Sequence, residues 1–305
     1  MADHQHDPQQ QHAAHPHEHG HGHSGGHGAH AEDGADEAAL ADLLDLDAEV
    51  LAEHLSDVTA WIAGSAGDPA PRRIVDVGSG TGTGTLALMR RFEGAEVTAL
   101  DRSTHLLGRL RERAGELGVG SRIRTVEADL DETWPDVGPA DLVWASSSLH
   151  HMADPDRALA EAAALLRPGG LLAVVEMDSL PRFLPDDIGL GRPGLEARVQ
   201  AAMDERRAED MPHFGGDWAA RFTAAGFTVR AERHFVVDLD TPPPATARYA
   251  HAVLSRSRDG LGDRLDADDL AVLGTLLDGD GPEALLRRTD LTVRTSRQAW
   301  LSERG

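Results

Sequence analysis

Between residues 74 and 89 the chain reads Ile-Val-Asp-Val-Gly-Ser-Gly-Thr-Gly-Thr-Gly-Thr-Leu-Ala-Leu-Met, a short apolar run, four alternating glycines and a second apolar run. Glycines at a strand-to-helix turn let the backbone approach a bound ligand closely. The helix that follows offers unpaired N–H groups to polar ligand atoms. A dinucleotide fingerprint would be Gly-x-Gly-x-x-Gly. Counted from Gly78, its third glycine falls on Thr83, and the pattern present is Asp-x-Gly-x-Gly-x-Gly from Asp76 to Gly82.

Further along, other residues able to do chemistry follow short apolar runs. Asp101 lies 19 residues past Gly82, Asp129 and Leu130 close the next run, and Ser146 the one after. His150 and His151 sit in Leu-His-His-Met-Ala-Asp-Pro, where an imidazole is a candidate general base. Each has a structural reading as well. Asp76 can tie the glycine turn to backbone N–H groups, and Asp101 can cap a helix, although Ser103 is the better cap. Asp129 lies in the acidic run Glu127–Glu132, and paired histidines can simply support a turn. Glu176 and Asp178 follow a fifth apolar run and can hold a hydroxyl or an amine, or fix the segment beyond; His213 and His234 are weaker candidates.

The elements that must carry these residues alternate strand and helix. The expected strands are Ile74–Val77, Glu96–Leu100, Ile123–Ala128, Asp141–Ala145 and Leu171–Glu176. Helices over Gly84–Phe92, Leu106–Leu117 and Arg157–Leu166 come between them, and Arg167-Pro-Gly-Gly170 forms a turn. Such alternation implies a parallel sheet with right-handed crossovers. Ligands of such sheets sit at the carboxyl ends of the strands, which is where Gly78–Gly82, Asp101, Asp129 and Ser146 fall.

Outside this core, residues 1–34 form a His-rich low-complexity tail without Leu, Ile, Val or aromatic residues. It cannot build a core and is expected to be disordered. Its histidines suit weak transition-metal binding, at His15, His17, His19, His21 and His23, or only solvation; no metal site is expected in the core. Residues 35–70 predict one or two amphipathic helices as an N-terminal cap segment, and 71–178 the ligand-binding core. Residues 179–305 complete the same domain with helical insertions at 179–216 and 241–290 and long strands at Phe227–Leu239 and Leu291–Ser302. Arg182, Phe183, Trp218 and Tyr249 are candidates to line a cap over the strand ends.

Composition narrows the chemistry. Cysteine is absent, which removes thiolate nucleophiles and cysteine-bound iron–sulfur clusters. Lysine is absent as well, so no Schiff base can form and all 29 basic side chains are Arg. With 52 acids and a formal charge of −23, the chain repels phosphate backbones, and no nucleic-acid partner is expected. No apolar run has the roughly 20 residues of a membrane span, and the first residues do not read as a signal peptide. No membrane partner and a cytoplasmic location are the expectations; oligomeric state is not legible.

Taken together, Asp76–Gly82, the Leu149-His-His…Asp154-Pro155 segment and the Leu166-Arg-Pro-Gly-Gly170 turn resemble class I S-adenosylmethionine-dependent methyltransferases of the small-molecule type. The resemblance covers residues 72–178, with a weaker echo at Ala225-Gly-Phe227. It implies a Rossmann-like seven-stranded mixed sheet whose last strand is antiparallel, flanked by helices on both faces under a helical cap. S-adenosyl-L-methionine is the implied cofactor. The implied contacts are Asp76, Gly78, Ser79, Gly80 and Gly82 around its amino-acid part and Asp101 with Arg102 at the ribose. Asp129 and Leu130 fall at the adenine, and Ser146 beside the transferring methyl. His150 or His151 is the candidate base, and the implied reaction is in-line methyl transfer to O, N or C of a small-molecule acceptor. The segment lacks the Asn/Asp-Pro-Pro-aromatic signature of amino-group methylases of adenine and glutamine. Two alternatives stand behind this reading: a non-catalytic methyltransferase-like binding protein with a metal-binding His arm, and an NAD(P)-binding oxidoreductase.

Overall fold

A computed structural model describes residues 26–305. The His-rich stretch with His15, His17, His19, His21 and His23 lies outside the described residues. The compact unit of interest runs from Glu37 to Gly305. Helix α1 (Gly26–Val50) begins inside the stretch that composition assigns to the tail, and α2 (Ala52–Ala66) follows it. The core then alternates β1 (Arg73–Val77), α3 (Thr83–Arg91), β2 (Glu96–Asp101), α4 (Thr104–Glu116), β3 (Ile123–Glu127), β4 (Ala140–Ser146), α5 (Pro155–Leu165) and β5 (Leu166–Met177). Beyond it come α6 (Leu195–Asp210), α7 (Trp218–Ala224), β6 (Phe227–Leu239), α8 (Thr246–Leu261), α9 (Ala267–Asp278) and β7 (Val293–Arg304). No helix among the described residues is long and apolar enough to cross a membrane.

The seven strands form one sheet in the order β3-β2-β1-β4-β5-β7-β6. Neighbours from β3 to β5 pair in parallel, and β7 runs antiparallel to both β5 and β6. This is a Rossmann-like mixed sheet with an antiparallel last strand, as the sequence implies. The order reverses at β1, with β2 on one side and β4 on the other. That is the switch point at which the carboxyl ends of parallel strands open a crevice.

Strands buried on both faces read as unbroken apolar runs, and β1 and β4 show why. Ile74 and Leu142 enter one apolar cluster, while their neighbours Val75 and Val143 enter another on the opposite face. A third cluster lies in the cap, where α6, α8 and α9 pack Val199, Tyr249, Leu254 and Leu273 against Phe183. Val293 at the start of β7 and Val237 in β6 join that cluster to the sheet. Since Met177 pairs with Arg297, the start of β7 lies at the carboxyl end of β5, and so on the crevice side.

Two details depart from the sequence reading. The expected turn Arg167–Gly170 lies inside β5. Ala140 pairs with Leu166 but Leu142 pairs with Leu171, so the Pro-Gly-Gly residues bulge out of a continuous ladder. Pro168 has no N–H to give, which suits a bulge. Phe183, Trp218 and Tyr249 are 0, 2 and 2% exposed and serve as core packing, not as cap lining. Phe183 stands edge-on to Tyr249 at 5.2 Å, and Trp218 packs with Phe222 at 6.3 Å.

Candidate functional site

The glycine turn is held from three sides. Gly78 and Ser79 both donate their amides to the Leu100 carbonyl at 2.9 Å, which ties the turn to the end of β2. Gly80 donates to Asp101 Oδ2 at 2.8 Å, and Ser103 donates to Asp101 Oδ1 at 2.9 Å. Ser103 in turn caps α4, its hydroxyl accepting from Leu106 N at 3.2 Å. Asp101 therefore braces the turn while Ser103 does the capping. An ionised carboxylate offers about four lone-pair sites, so each Asp101 oxygen keeps one to offer a hydroxyl.

Glycine is required here by geometry. Gly78 and Gly82 have φ of +70° and +80°. A Cβ on Gly78 would lie 2.6 Å from Ser148 Cβ, and one on Gly82 would lie 2.1 Å from Leu110 Cδ1. Asp76, 2% exposed, accepts from the Thr85 hydroxyl at 2.6 Å, so it links β1 to the first turn of α3. Burial pushes its carboxyl up to about 7, against the pull of the Thr85 hydrogen bond, and the Asp101 charge adds to the rise.

Acidic residues of α1 fasten that helix across the same turn. Arg109 donates to Asp45 at 2.6 Å and Asp42 at 3.1 Å; Arg113 donates to Asp45 at 2.9 Å and to the Thr81 carbonyl at 3.2 Å. A Cβ on Gly80 would sit 3.2 Å from Leu44 Cδ1 of α1. One turn farther on, Asp47 accepts from Tyr249 of α8 and Arg297 of β7, both at 2.7 Å. Sequence inspection did not pick out these pairs, because an acidic helix face is usually just a solvated one.

At the end of β4, Ser147 takes a positive φ of 51°, unusual for a residue with a side chain. Such strain costs about 1–2 kcal/mol and gathers at functional sites. It turns the chain so that Ser148 Oγ donates to the Val77 carbonyl at 2.8 Å, joining this loop to β1. Ser146 is half-buried beside it. The loop then enters a short 3-10 turn, Leu149–His151.

Here the two histidines part company. His150 is 3% exposed and Glu176, at the end of β5, is 4% exposed. Glu176 Oε2 bonds His150 Nδ1, and Oε1 accepts from Leu149 N at 3.1 Å. A carboxylate accepting twice assigns the proton to Nδ1, which leaves Nε2 as a lone pair. Nε2 is buried and has no partner among the described residues. His151 is exposed. Lost hydration in the loop, then His150, Arg102 and Arg256, hold its pKa below the usual histidine value. The ring centroids of the pair lie 4.2 Å apart.

On the remaining strand end, Leu130 is buried and Asp129 is exposed, with Asp129 Oδ1 accepting from Asp131 N at 3.0 Å. Arg102 is exposed. His234 and Asp178 pair with each other at 2.8 Å, and Ser296 joins Asp178. His213 lies 3.4 Å from Arg221. Phe214, which the sequence did not single out, stands edge-on to His150 with ring centroids 5.2 Å apart.

The crevice end of the sheet thus carries polar atoms that are buried without a partner among the described residues, Ser79 Oγ, Ser147 Oγ and His150 Nε2 among them. Native structures pair nearly all such groups. Together with a glycine turn that no Cβ could enter, they suit a polar ligand lying across the ends of β1 and β4. The donor set is oxygen and imidazole without thiolates, which suits a hydroxyl-rich organic ligand.

Comparison with known proteins points the same way. Residues 74–170 match the family described as a methyltransferase domain. The trans-aconitate 2-methyltransferase of an Acidovorax species is 38% identical over 112 residues, 37% of this chain and 41% of that protein. The demethylmenaquinone methyltransferase of Thermus thermophilus is 37% identical over 116 residues, 38% of this chain and 51% of that one. The chain thus spans about half the length of these curated relatives, or less. In fold, it is similar to a Galdieria sulphuraria structure provisionally named a sarcosine dimethylglycine methyltransferase. The TM-score is 0.51 at 15% identity, covering 84% of this chain and 87% of that one.

Proposed function

We propose that this protein is an S-adenosylmethionine-dependent methyltransferase that modifies a small molecule at oxygen, nitrogen or carbon. The observation that carries the proposal is the Asp101 brace. A carboxylate at the tip of β2 holds Gly80 of the Gly78–Gly82 turn through Oδ2, beside the switch in strand order. The glycine turn and Ser79 would hold the amino-acid part of the cofactor, and Asp101 with Arg102 the ribose. Leu130 and Asp129 would take the adenine, with Ser146 and Asp76 completing the surround. Bound there, S-adenosylmethionine supplies an electrophilic methyl group on a sulfonium sulfur.

The protein's own part is orientation and proton handling. Holding an acceptor in line is worth on the order of 7–11 kcal/mol. Glu176 keeps the proton of His150 on Nδ1, so Nε2 is free to take a proton from an acceptor hydroxyl or amine. Such a base contributes about 10²- to 10⁴-fold. A buried, oriented imidazole favours the enzyme over a non-catalytic binding domain. The names of the relatives include trans-aconitate and demethylmenaquinone, unlike acceptors, so the likeness supports methyl transfer and leaves the acceptor open. The acid excess supports a small-molecule acceptor over a nucleic acid, and a cytoplasmic location is part of the same reading.

Calorimetric titration of S-adenosylmethionine and S-adenosylhomocysteine, beside Asp101→Ala, tests this. Both ligands are expected to bind, and the variant to bind at least about tenfold more weakly, or about 1.4 kcal/mol. Absence of binding by the unaltered protein would sink the proposal.

A further inference from the structure

Arg207 of α6 is 6% exposed, and its Nε and Nη1 nitrogens are buried without an acceptor among the described residues. Its remaining nitrogen, Nη2, bonds Asp204, whose side chain is 64% exposed. The guanidinium stacks on Phe214, 4.4 Å from the ring centroid. Phe214 in turn stands against His150, whose Nε2 is also buried without a partner among the described residues. A buried N–H left unpaired costs about 1–3 kcal/mol, and Arg207 carries such donors on two nitrogens. Glu176, the acid against His150, is already committed to His150 and Leu149.

Two exposed guanidiniums bear on the neighbouring ring of His151, whose centroid lies 4.2 Å from that of His150. Arg102 and Arg256 both act on His151, and neither pairs with an acid among the described residues. Several other arginines of this acid-rich chain are paired, as with Arg109, Arg113, Arg192 and Arg198. Arg102 and Arg256 thus add positive charge beside His151 in a chain whose formal charge is −23. Such focusing draws an anion to one spot on a surface that otherwise repels it.

We infer that the methyl acceptor is a small organic anion whose carboxylate or phosphate is taken by Arg207, with the atom to be methylated directed toward His150. The inference rests on the methyltransferase reading and names the acceptor class. Arg207 supplies fixed donors to an oxyanion in a desolvated setting, where charge-assisted hydrogen bonds are strong. Phe214 sets the spacing between the anion and His150 Nε2. Neutral analogues would leave the Arg207 donors unpaired and be rejected.

The test uses the full chain saturated with S-adenosylhomocysteine. Small mono- and dicarboxylates form one calorimetric arm and small organic phosphates the other, each compared with its neutral amide or alcohol. One anionic arm is expected to bind, its neutral counterparts at least about tenfold more weakly, and the arm that binds identifies the group. Arg207→Met is expected to abolish that preference with S-adenosylhomocysteine affinity unchanged, and Arg207→Lys to keep part of it. Silence in both arms, or anion binding by Arg207→Met equal to the unaltered protein, would overturn this inference alone. If Arg207→Met no longer binds S-adenosylhomocysteine, Arg207→Lys decides. Retained cofactor-product binding with weakened anion binding supports the inference, and loss of both overturns it. Failure of the unaltered protein to bind S-adenosylhomocysteine overturns both readings.

Discussion

Glu176 grips the buried ring of His150 at Nδ1 and, through its other oxygen, the amide of Leu149. One carboxylate at the end of β5 thereby fixes both the tautomer of the imidazole and the loop that carries it. A buried imidazole whose Nε2 has no partner among the described residues is the chemical consequence.

Replacing His150 with Ala is expected to lower kcat for an O or N acceptor by about 10²- to 10⁴-fold, with S-adenosylhomocysteine affinity unchanged. Glu176→Gln is expected to lower kcat less, since Gln keeps an acceptor for one partner. Single-turnover methyl transfer with a labelled cofactor reads both. An undiminished rate in His150→Ala would leave the ring a purely structural part.

Gly82→Ala should destabilise the fold by roughly 2–5 kcal/mol, adding left-handed backbone strain to an overpacked contact. Its new methyl would land 2.1 Å from Leu110 Cδ1. Gly94, at φ +76° with nothing within 4 Å, isolates the backbone cost alone. Urea denaturation of the two Ala variants should therefore separate them, with Gly82→Ala the weaker protein. Equal losses would mean that α4 yields at Leu110.

The Asp76 carboxyl moves from 3.8 to about 7 on folding, with burial the main cause. A raised acid binds its proton more tightly in the folded state. Its contribution to stability is therefore complete below about pH 4 and is lost as pH rises toward 7, by at most on the order of 4 kcal/mol. Asp76→Asn keeps an acceptor for Thr85 and removes the titration. Stability measured against pH should fall more steeply across that window in the unaltered protein than in the variant. Parallel curves would show that Asp76 keeps its charge when buried.

Tyr249 is the sole tyrosine of the chain, so its phenol can be followed without labels. It is 2% exposed, and burial first, then the Asp47 charge, pushes its pKa well above 10. Ultraviolet difference spectra should show no phenolate at pH 10 in the folded protein and about half of the full signal in urea, where the ordinary pKa of about 10 returns. Asp47→Ala should leave the ring buried but free Arg297 and Tyr249 from α1, at a cost of about 1–3 kcal/mol for the unpaired groups. Early ionisation in the folded state would mean that α8 does not close over α1 in solution.

The sequence by itself determined the sheet and the glycine turn. Alternating apolar runs and helix periods have local causes, so β1 to β5 and the cap at Ser103 could be read from neighbouring residues, and Asp101 from its place at a strand end. Burial on both faces made those runs conspicuous. The tertiary structure alone decided which polar groups meet. His150 and Glu176 are 26 residues apart, and Asp47 and Arg297 are 250 apart. No local pattern records such pairs, because they arise when crossovers bring distant strand ends to one edge. The same closure turned Phe183, Trp218 and Tyr249 into core and buried Arg207 beside Phe214. A side chain's burial depends on what the rest of the chain packs over it, which spacing along one segment does not encode.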